Sequence, residues 1–177
     1  QLGYVAALAI YNTAIEFCPD NTPVACKWPN DVLINGKKVS GILLEIVSNG
    51  TQTPNSIVLG VGINVLNHPE DTPYPASDLF TEGALQVSVN ETLERFIHHF
   101  DHWLEVWLDQ GFAPLRTQWL SRAAGLQKKI IVRLENSELS GIFNSIDDSG
   151  ALLLRQDGDQ VDTIIQAGDI FFPDQIL

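Results

Sequence analysis

Lys27 lies in VACKW, a short alternating run that reads as a strand, with Pro29, Asn30 and Asp31 directly after it. Alternation puts Ala25, Lys27 and Pro29 on one side and Cys26, Trp28 and Asn30 on the other. An ammonium group among apolar neighbours is costly to bury unless an anion meets it. Two kinds of anion qualify: a carboxylate of the chain, such as Asp31 or Glu45, or the charged group of a ligand. Glycines form the second unusual feature. Gly41 interrupts KVSGILLEI, and Gly60 and Gly62 interrupt SIVLGVGINV. Glycine inside a strand weakens it and marks a bulge or something approaching the backbone closely. One lysine and three bare backbone positions in neighbouring strands suggest a floor for a flat ligand. No helix start follows GVGIN, so the run is not a dinucleotide fingerprint.

Several elements must hold these residues in place. Residues 2–17 carry Ala, Leu and Ile at helical spacing and stop before Pro19, which cannot continue a helix. Short strands follow: VACKW, DVLI, KVSGILLEI and SIVLGVGINV. Asn35-Gly36 is a strong hairpin signal, because a two-residue primed turn needs positive φ at both positions. Residues 66–87 contain Pro69, Pro73 and Pro75 without a sustained period and read as a loop with one short helical turn at most. Ser88 to Glu91 fits a capping box. Beyond it Leu93, Phe96, Ile97, Phe100, Leu104, Trp107 and Leu108 share one helical face, and a shorter helix covers 113–123, ending at Gly125. From there KKIIVRL, ELSGIFNSI, ALLLR and VDTII, joined by tight turns, give the spacing of a small five-stranded barrel. The boundary falls near residue 125.

Composition excludes several classes. The chain has 177 residues, 45% hydrophobic and 18% charged, which is the balance of a folded globular chain. Ten Lys and Arg against 22 Asp and Glu give a net charge of −12, which opposes a nucleic-acid or membrane-surface footprint. No apolar run of about 18 residues occurs, and QLGYVAALAIYNTAIEF has neither a basic leader nor a small-residue cleavage site. Cys18 and Cys26 cannot make a disulfide framework, and no zinc spacing is present. His98, His99 and His102 read as a solvated helix face, and no metal site is expected.

KWPNDVLINGKKVSGILLE, followed closely by GVGINV, resembles the biotin protein ligases, whose catalytic domain carries KWPND, a K-x-[SAG]-G-I-L strand and G-x-G-I-N in that order. The resemblance extends more loosely to Ala76-Ser77-Asp78-Leu79 and to the C-terminal unit, which in the family is an SH3-like barrel. It implies an α+β fold. Residues 1–125 would form the C-terminal part of the catalytic domain, a mixed sheet with packed helices, and residues 126–177 the SH3-like domain.

The resemblance also implies a cytoplasmic ligase with a two-step reaction. Biotin's carboxylate attacks the α-phosphate of Mg-ATP, giving biotinyl-5′-AMP and pyrophosphate; a lysine of a biotin carboxyl carrier domain then attacks the mixed anhydride. By resemblance Lys27 meets the biotin carboxylate and the phosphate, Gly41, Gly60 and Gly62 lie against biotin, and Asn64 reads adenine. The family's glycine- and arginine-rich loop, of the form G-R-G-R-x-G, has no counterpart in this sequence. The chain is therefore expected to be part of a longer ligase, inactive alone, with a cut sheet edge that invites a homodimer. Two other readings remain: a non-catalytic binding or regulatory protein on the same scaffold, and a lipoate-type ligase, which would not normally carry the small barrel.

Overall fold

The computed structural model describes residues 1–47 and 56–173. Pro19 ends the first helix as its chemistry requires: α1 (Leu2–Phe17) closes at Cys18, which is extended and donates its N–H to the Ala14 carbonyl at 3.0 Å. Val5, Ala6, Ala7, Leu8, Ala9 and Ile10 are all buried, so α1 has almost no polar face and must be enclosed. It packs against α2 (Val89–Gln110), α3 (Phe112–Leu120) and the first sheet.

That sheet contains β1 (Val24–Lys27), β2 (Asp31–Ile34), β3 (Lys37–Val47) and β4 (Ser56–Ile63), antiparallel and in sequence order. Asn35 and Gly36 turn the β2–β3 hairpin with φ of 50° and 77°, as the primed turn demands. Gly41 pairs directly with Gly62, and Leu43 with Gly60. The β2–β3 register carries a bulge: Val32 faces Ser40 while Leu33 faces Lys38, leaving Val39 as the extra residue. The edge beyond β1 is covered by residues 122–124, since Cys26 exchanges backbone hydrogen bonds with Arg122 and Ala124.

Ser88 caps α2 as expected. Its hydroxyl accepts from the Glu91 N–H at 3.3 Å and donates to the Glu91 carboxylate at 2.7 Å. Of the apolar stripe, Phe96, Phe100, Leu104 and Trp107 pack against the core, whereas Leu93, Ile97 and Leu108 are exposed; Thr92 and Trp103 are buried. α1 runs along the helix, with His99 bonding Glu16 of α1 at 2.9 Å and the Trp107 indole N–H donating to Gln1 at 3.0 Å. An apolar cavity of about 410 Å³, bordered by Leu59, Val61, Ile63, Phe96 and Phe100, separates α2 from β4. None of the described helices is long and apolar enough to cross a membrane.

The C-terminal unit is a five-stranded antiparallel sheet of β5 (Lys129–Arg133), β6 (Glu138–Ile146), β7 (Leu152–Gln156), β8 (Thr163–Ile165) and β9 (Asp169–Phe171), in the order β8-β7-β6-β5-β9. Its core is Ile130, Val132, Phe143, Ile146, Leu152, Leu154 and Ile170. The turn before β7 is pinned to the first unit. Both the Tyr4 hydroxyl, at 2.6 Å, and the Trp28 indole N–H, at 3.1 Å, donate to the Gly150 carbonyl. Gly150 has φ +93°, and a Cβ there would stand 2.6 Å from Tyr4 Cε2.

Tyr4→Phe removes one of two donors to a carbonyl that keeps the other, so it should lower the unfolding free energy by about 1 kcal/mol. Gly150→Ala adds backbone strain and a clash, and should cost at least about 2 kcal/mol. Urea unfolding of both variants checks the order; equal costs would mean that this contact does not hold the two units together.

Candidate functional site

Cross-strand partners point to the same side of a sheet, so the register assigns the faces. Lys27 pairs with Asp31, Asp31 with Gly41, and Gly41 with Gly62. Lys38, three residues before Gly41, would normally face the other way. The Val39 bulge reverses that, and Lys38 pairs with Leu33, which shares Asp31's face. Lys27, Asp31, Lys38, Gly41 and Gly62 thus stand on one face, while Cys26, Val32, Ile34 and Ile42 on the other join the core with α1.

Asp31 is the centre of the charged cluster. It is buried, and its two oxygens take one ammonium each: Lys27 Nζ at 3.6 Å and Lys38 Nζ at 2.6 Å. Of the two carboxylates that the sequence offered for Lys27, Asp31 is the partner, and Glu45 is exposed. Lys27 is also covered by the rings of Tyr74 and Phe171, whose centroids lie 5.0 and 5.7 Å from Nζ. Burial pulls its pKa below the usual lysine value, and Asp31 and then Asp169 oppose the drop.

Gly41, Gly62, Asn64 and Lys38 line one cavity of about 340 Å³, together with Thr72 and Tyr74. A Cβ on Gly62 would meet nothing closer than the Gly41 carbonyl at 3.9 Å, whereas one on Gly41 would stand 3.3 Å from Lys38 Nζ. The other two expected residues lie apart. Lys27 borders a neighbouring crevice of about 40 Å³ that shares Lys38 and Tyr74 with the cavity, and Gly60 sits further along the open face opposite Leu43.

A loop forms the lid of this floor. The Lys38 N–H donates to the Pro75 carbonyl and the Ser77 N–H to the Lys38 carbonyl. Asn64 fixes the far end: its side-chain amide donates to the Ser77 carbonyl at 2.8 Å, and its own carbonyl accepts from the Leu79 N–H. Asp78 accepts from the Thr81 N–H and pairs with His68; these bonds hold its carboxyl below the usual range despite an opposing contribution from burial. Lys37 turns away to Glu82, which also receives Asn35 and Ser77. The adjacent lysines thus have separate tasks.

Lys38, Tyr74 and Phe171 were not among the expected site residues. Lys38 is the first residue of the K-x-[SAG]-G-I-L pattern, which could have drawn attention to it; Tyr74 and Phe171 come from a loop and a late strand with no local signal. No group of three or more His, Cys, Asp or Glu that could hold a metal occurs among the described residues.

Comparison with known proteins places these features in context. The profile of the Biotin/lipoate A/B protein ligase family matches residues 1–121, and that of the Biotin protein ligase C terminal domain matches residues 126–172. The chain is 40% identical over 177 residues to the biotin--[acetyl-CoA-carboxylase] ligase of Paracoccus denitrificans, covering 97% of this chain and 72% of that protein. It is 35% identical to the bifunctional ligase/repressor BirA of Bacillus subtilis, covering 87% of this chain and 48% of BirA. Thus it spans only about half the length of that second relative. The biotin protein ligase of Aquifex aeolicus in complex with biotin and ATP superposes with a TM-score of 0.80 at 23% identity, over 96% of this chain and 69% of that one.

The buried pair makes stability depend on pH. Between the lowered pKa of Lys27 and the ordinary 10.5, the unfolded chain holds a proton that the folded chain has released, so stability rises with pH there. Asp31→Asn removes the main charge opposing the drop and should widen that window downward. The variant should lose about 3 kcal/mol at neutral pH and recover part of it by about pH 10. Urea unfolding at both pH values checks this; a pH-independent loss would mean that Asp31 is not the counter-charge of Lys27.

Proposed function

The chain belongs to the biotin/lipoate A/B protein ligase family, and on that premise we propose that it forms part of a biotin protein ligase. The reaction is activation of biotin by Mg-ATP to biotinyl-5′-AMP, followed by transfer to a lysine of a biotin carboxyl carrier domain. In the first step the biotin carboxylate forms a bond to the α-phosphorus as the bond to pyrophosphate breaks. In the second the carrier amine bonds the acyl carbon and AMP leaves. Mg²⁺ enters with the nucleotide, as substrate. The observation that carries this reading is the bare Gly41–Gly62 pair flooring a cavity beside the buried Lys27–Asp31 pair and the half-buried Lys38.

Under this reading the glycines let the flat bicyclic ring of biotin lie against backbone, with Gly60 continuing the floor outward. Asn64 faces the adenine with its remaining amide capacity, since one donor is held by Ser77. Lys27 supplies positive charge against the repulsion between carboxylate and phosphate. Tyr74 borders both its crevice and the cavity, so its ring must turn aside for Nζ to touch the substrate. Residues 1–125 act as the catalytic portion and 126–177 as an SH3-like C-terminal domain. The match of the second unit to a biotin ligase C-terminal domain favours biotin over lipoate.

Further parts of the reading concern setting. Gly60 and exposed Leu43 lie on the open part of the same face, without a facing wall among the described residues. Exclusion of water from a mixed anhydride needs walls on both sides. The 177-residue chain alone is accordingly proposed to bind biotin weakly and form no adenylate. The outer edge of β4 suits pairing with a second copy, and a cytoplasmic location fits two unpaired, buried cysteines.

In the protein at its native length, Lys27→Ala should slow biotin-dependent pyrophosphate release by roughly 100- to 1,000-fold. Release within twofold of wild type would reduce Lys27 to a structural cation. Gly62→Val should fold, because a Cβ has room and β-branched residues suit strands, yet calorimetry should detect no biotin binding. Wild-type affinity in that variant would remove the glycine floor from the account.

A further inference from the structure

The loop over the cavity is held unequally on its two sides. Its returning arm is tied to β3 by backbone: the Lys38 N–H donates to the Pro75 carbonyl at 2.8 Å, and the Ser77 N–H to the Lys38 carbonyl at 3.0 Å. The outgoing arm, Pro69 to Tyr74, has no such ladder. Among the described residues its hydrogen bonds stay within the arm: the Thr72 N–H donates to the Glu70 carbonyl at 3.2 Å and the Thr72 hydroxyl to the Tyr74 carbonyl at 2.6 Å. Yet Pro69, Thr72, Pro73 and Tyr74 line the cavity, and Tyr74 covers Lys27 with its ring 5.8 Å from that of Phe171. At the root of this arm His68 Nδ1 meets Asp78 Oδ2 at 2.5 Å, and since an ionised carboxylate only accepts, the imidazole donates. The Asp78 side chain is 1% exposed and that of His68 28%, so the anchor is buried and its partner reaches solvent. Asp78 sits on a fixed base, because the Leu79 and Phe80 N–H groups donate to the Asn64 and Val65 carbonyls at 3.0 Å each. Thr81 gives the carboxylate an N–H at 2.7 Å and a hydroxyl at 3.0 Å. The buried carboxylate therefore keeps donors when His68 withdraws.

Resting on the biotin ligase reading, we propose that the His68–Asp78 pair is a releasable clasp at the root of this loop, which holds the outgoing arm as a wall of the cavity and so sets how long an adenylate stays bound. Both are positioning residues, and neither lines the cavity. A charge-assisted bond at the root acts on the whole arm, because it removes freedom from the segment beyond it. The neighbouring lysines are committed elsewhere, Lys37 to Glu82 and Lys38 to Asp31, so His68 is the partner that Asp78 receives. Release of the clasp frees the outgoing arm while the returning arm stays on β3.

The test uses the protein at its native length, with His68→Ala and His68→Asn. Asparagine places an amide N–H near the position of Nδ1, so His68→Asn keeps a donor to Asp78 that alanine lacks. Two readouts separate the clasp from the ligand. Glutamyl endopeptidase cuts after Glu70, which is exposed on the outgoing arm, and cleavage there reports opening of the arm. Stopped-flow dissociation of biotinyl-5′-AMP reports retention. His68→Ala should raise both rates by about 10- to 100-fold, the size of a lost charge-assisted hydrogen bond, with association little changed. His68→Asn should restore most of the difference. Unchanged cleavage at Glu70 in His68→Ala overturns the clasp, and faster cleavage with unchanged dissociation overturns its service to the site. Faster cleavage at glutamates throughout the chain, or equal effects of alanine and asparagine, would make the pair an ordinary structural bond and overturn the proposal as well. A wild-type protein that binds no biotinyl-5′-AMP overturns the ligase reading and the retention claim, while cleavage at Glu70 still decides the clasp.

Discussion

The Asp31 carboxylate holds the site together, because it is in contact with two ammonium groups that would otherwise repel each other on the same sheet face. Unit charges about 4 Å apart interact by about 4 kcal/mol at the effective dielectric typical near a protein surface, enough to decide where long side chains rest. Tyr74 and Phe171 cover Lys27. Lys38 is drawn inward from the hairpin by the same carboxylate. What the cluster keeps is a positive charge beside a strip of bare backbone, which is what an anion with a flat body requires.

Everything around the cluster serves that geometry. The bulge at Val39 sets the face of Lys38, and the primed turn at Asn35-Gly36 sets the register from which the bulge is counted. Backbone bonds from Lys38 to Pro75 and Ser77 draw the loop across the floor and set Tyr74 above Lys27. The C-terminal sheet contributes Phe171 to the same cover, and its own position is fixed by the Gly150 carbonyl, where Tyr4 and Trp28 converge. Trp28 is adjacent to Lys27 in the chain. The contact between the two units and the placement of the buried lysine are therefore one piece of structure.

Much of this was legible in the sequence where the cause is local. Pro19, Asn35-Gly36 and the Ser88 cap act within a few residues, and the structure follows them. The glycines of GILLE and GVGIN signalled an unusual strand surface, and Gly41 does face Gly62. Lys38 was hidden, because counting alternate residues assumes an unbroken pleat and the bulge breaks it by one. Tyr74 and Phe171 reach Lys27 from 47 or more residues away, along segments without a period of their own. The stripe of α2 was legible in part: periodicity finds the apolar face, and Phe96, Phe100, Leu104 and Trp107 pack against the core, but it does not say which residues, here Leu93, Ile97 and Leu108, are left exposed.

The central claim is that Lys27 and Lys38 act as a pair coupled through Asp31. A double-mutant cycle on biotinyl-5′-AMP affinity, with Lys27→Met, Lys38→Met and the combined variant in the protein at its native length, measures that coupling directly. The account predicts that each single substitution weakens binding and that the combined loss departs from the sum by about 1 kcal/mol or more, as expected for residues sharing one partner. Strict additivity, or wild-type affinity in either single variant, would contradict it.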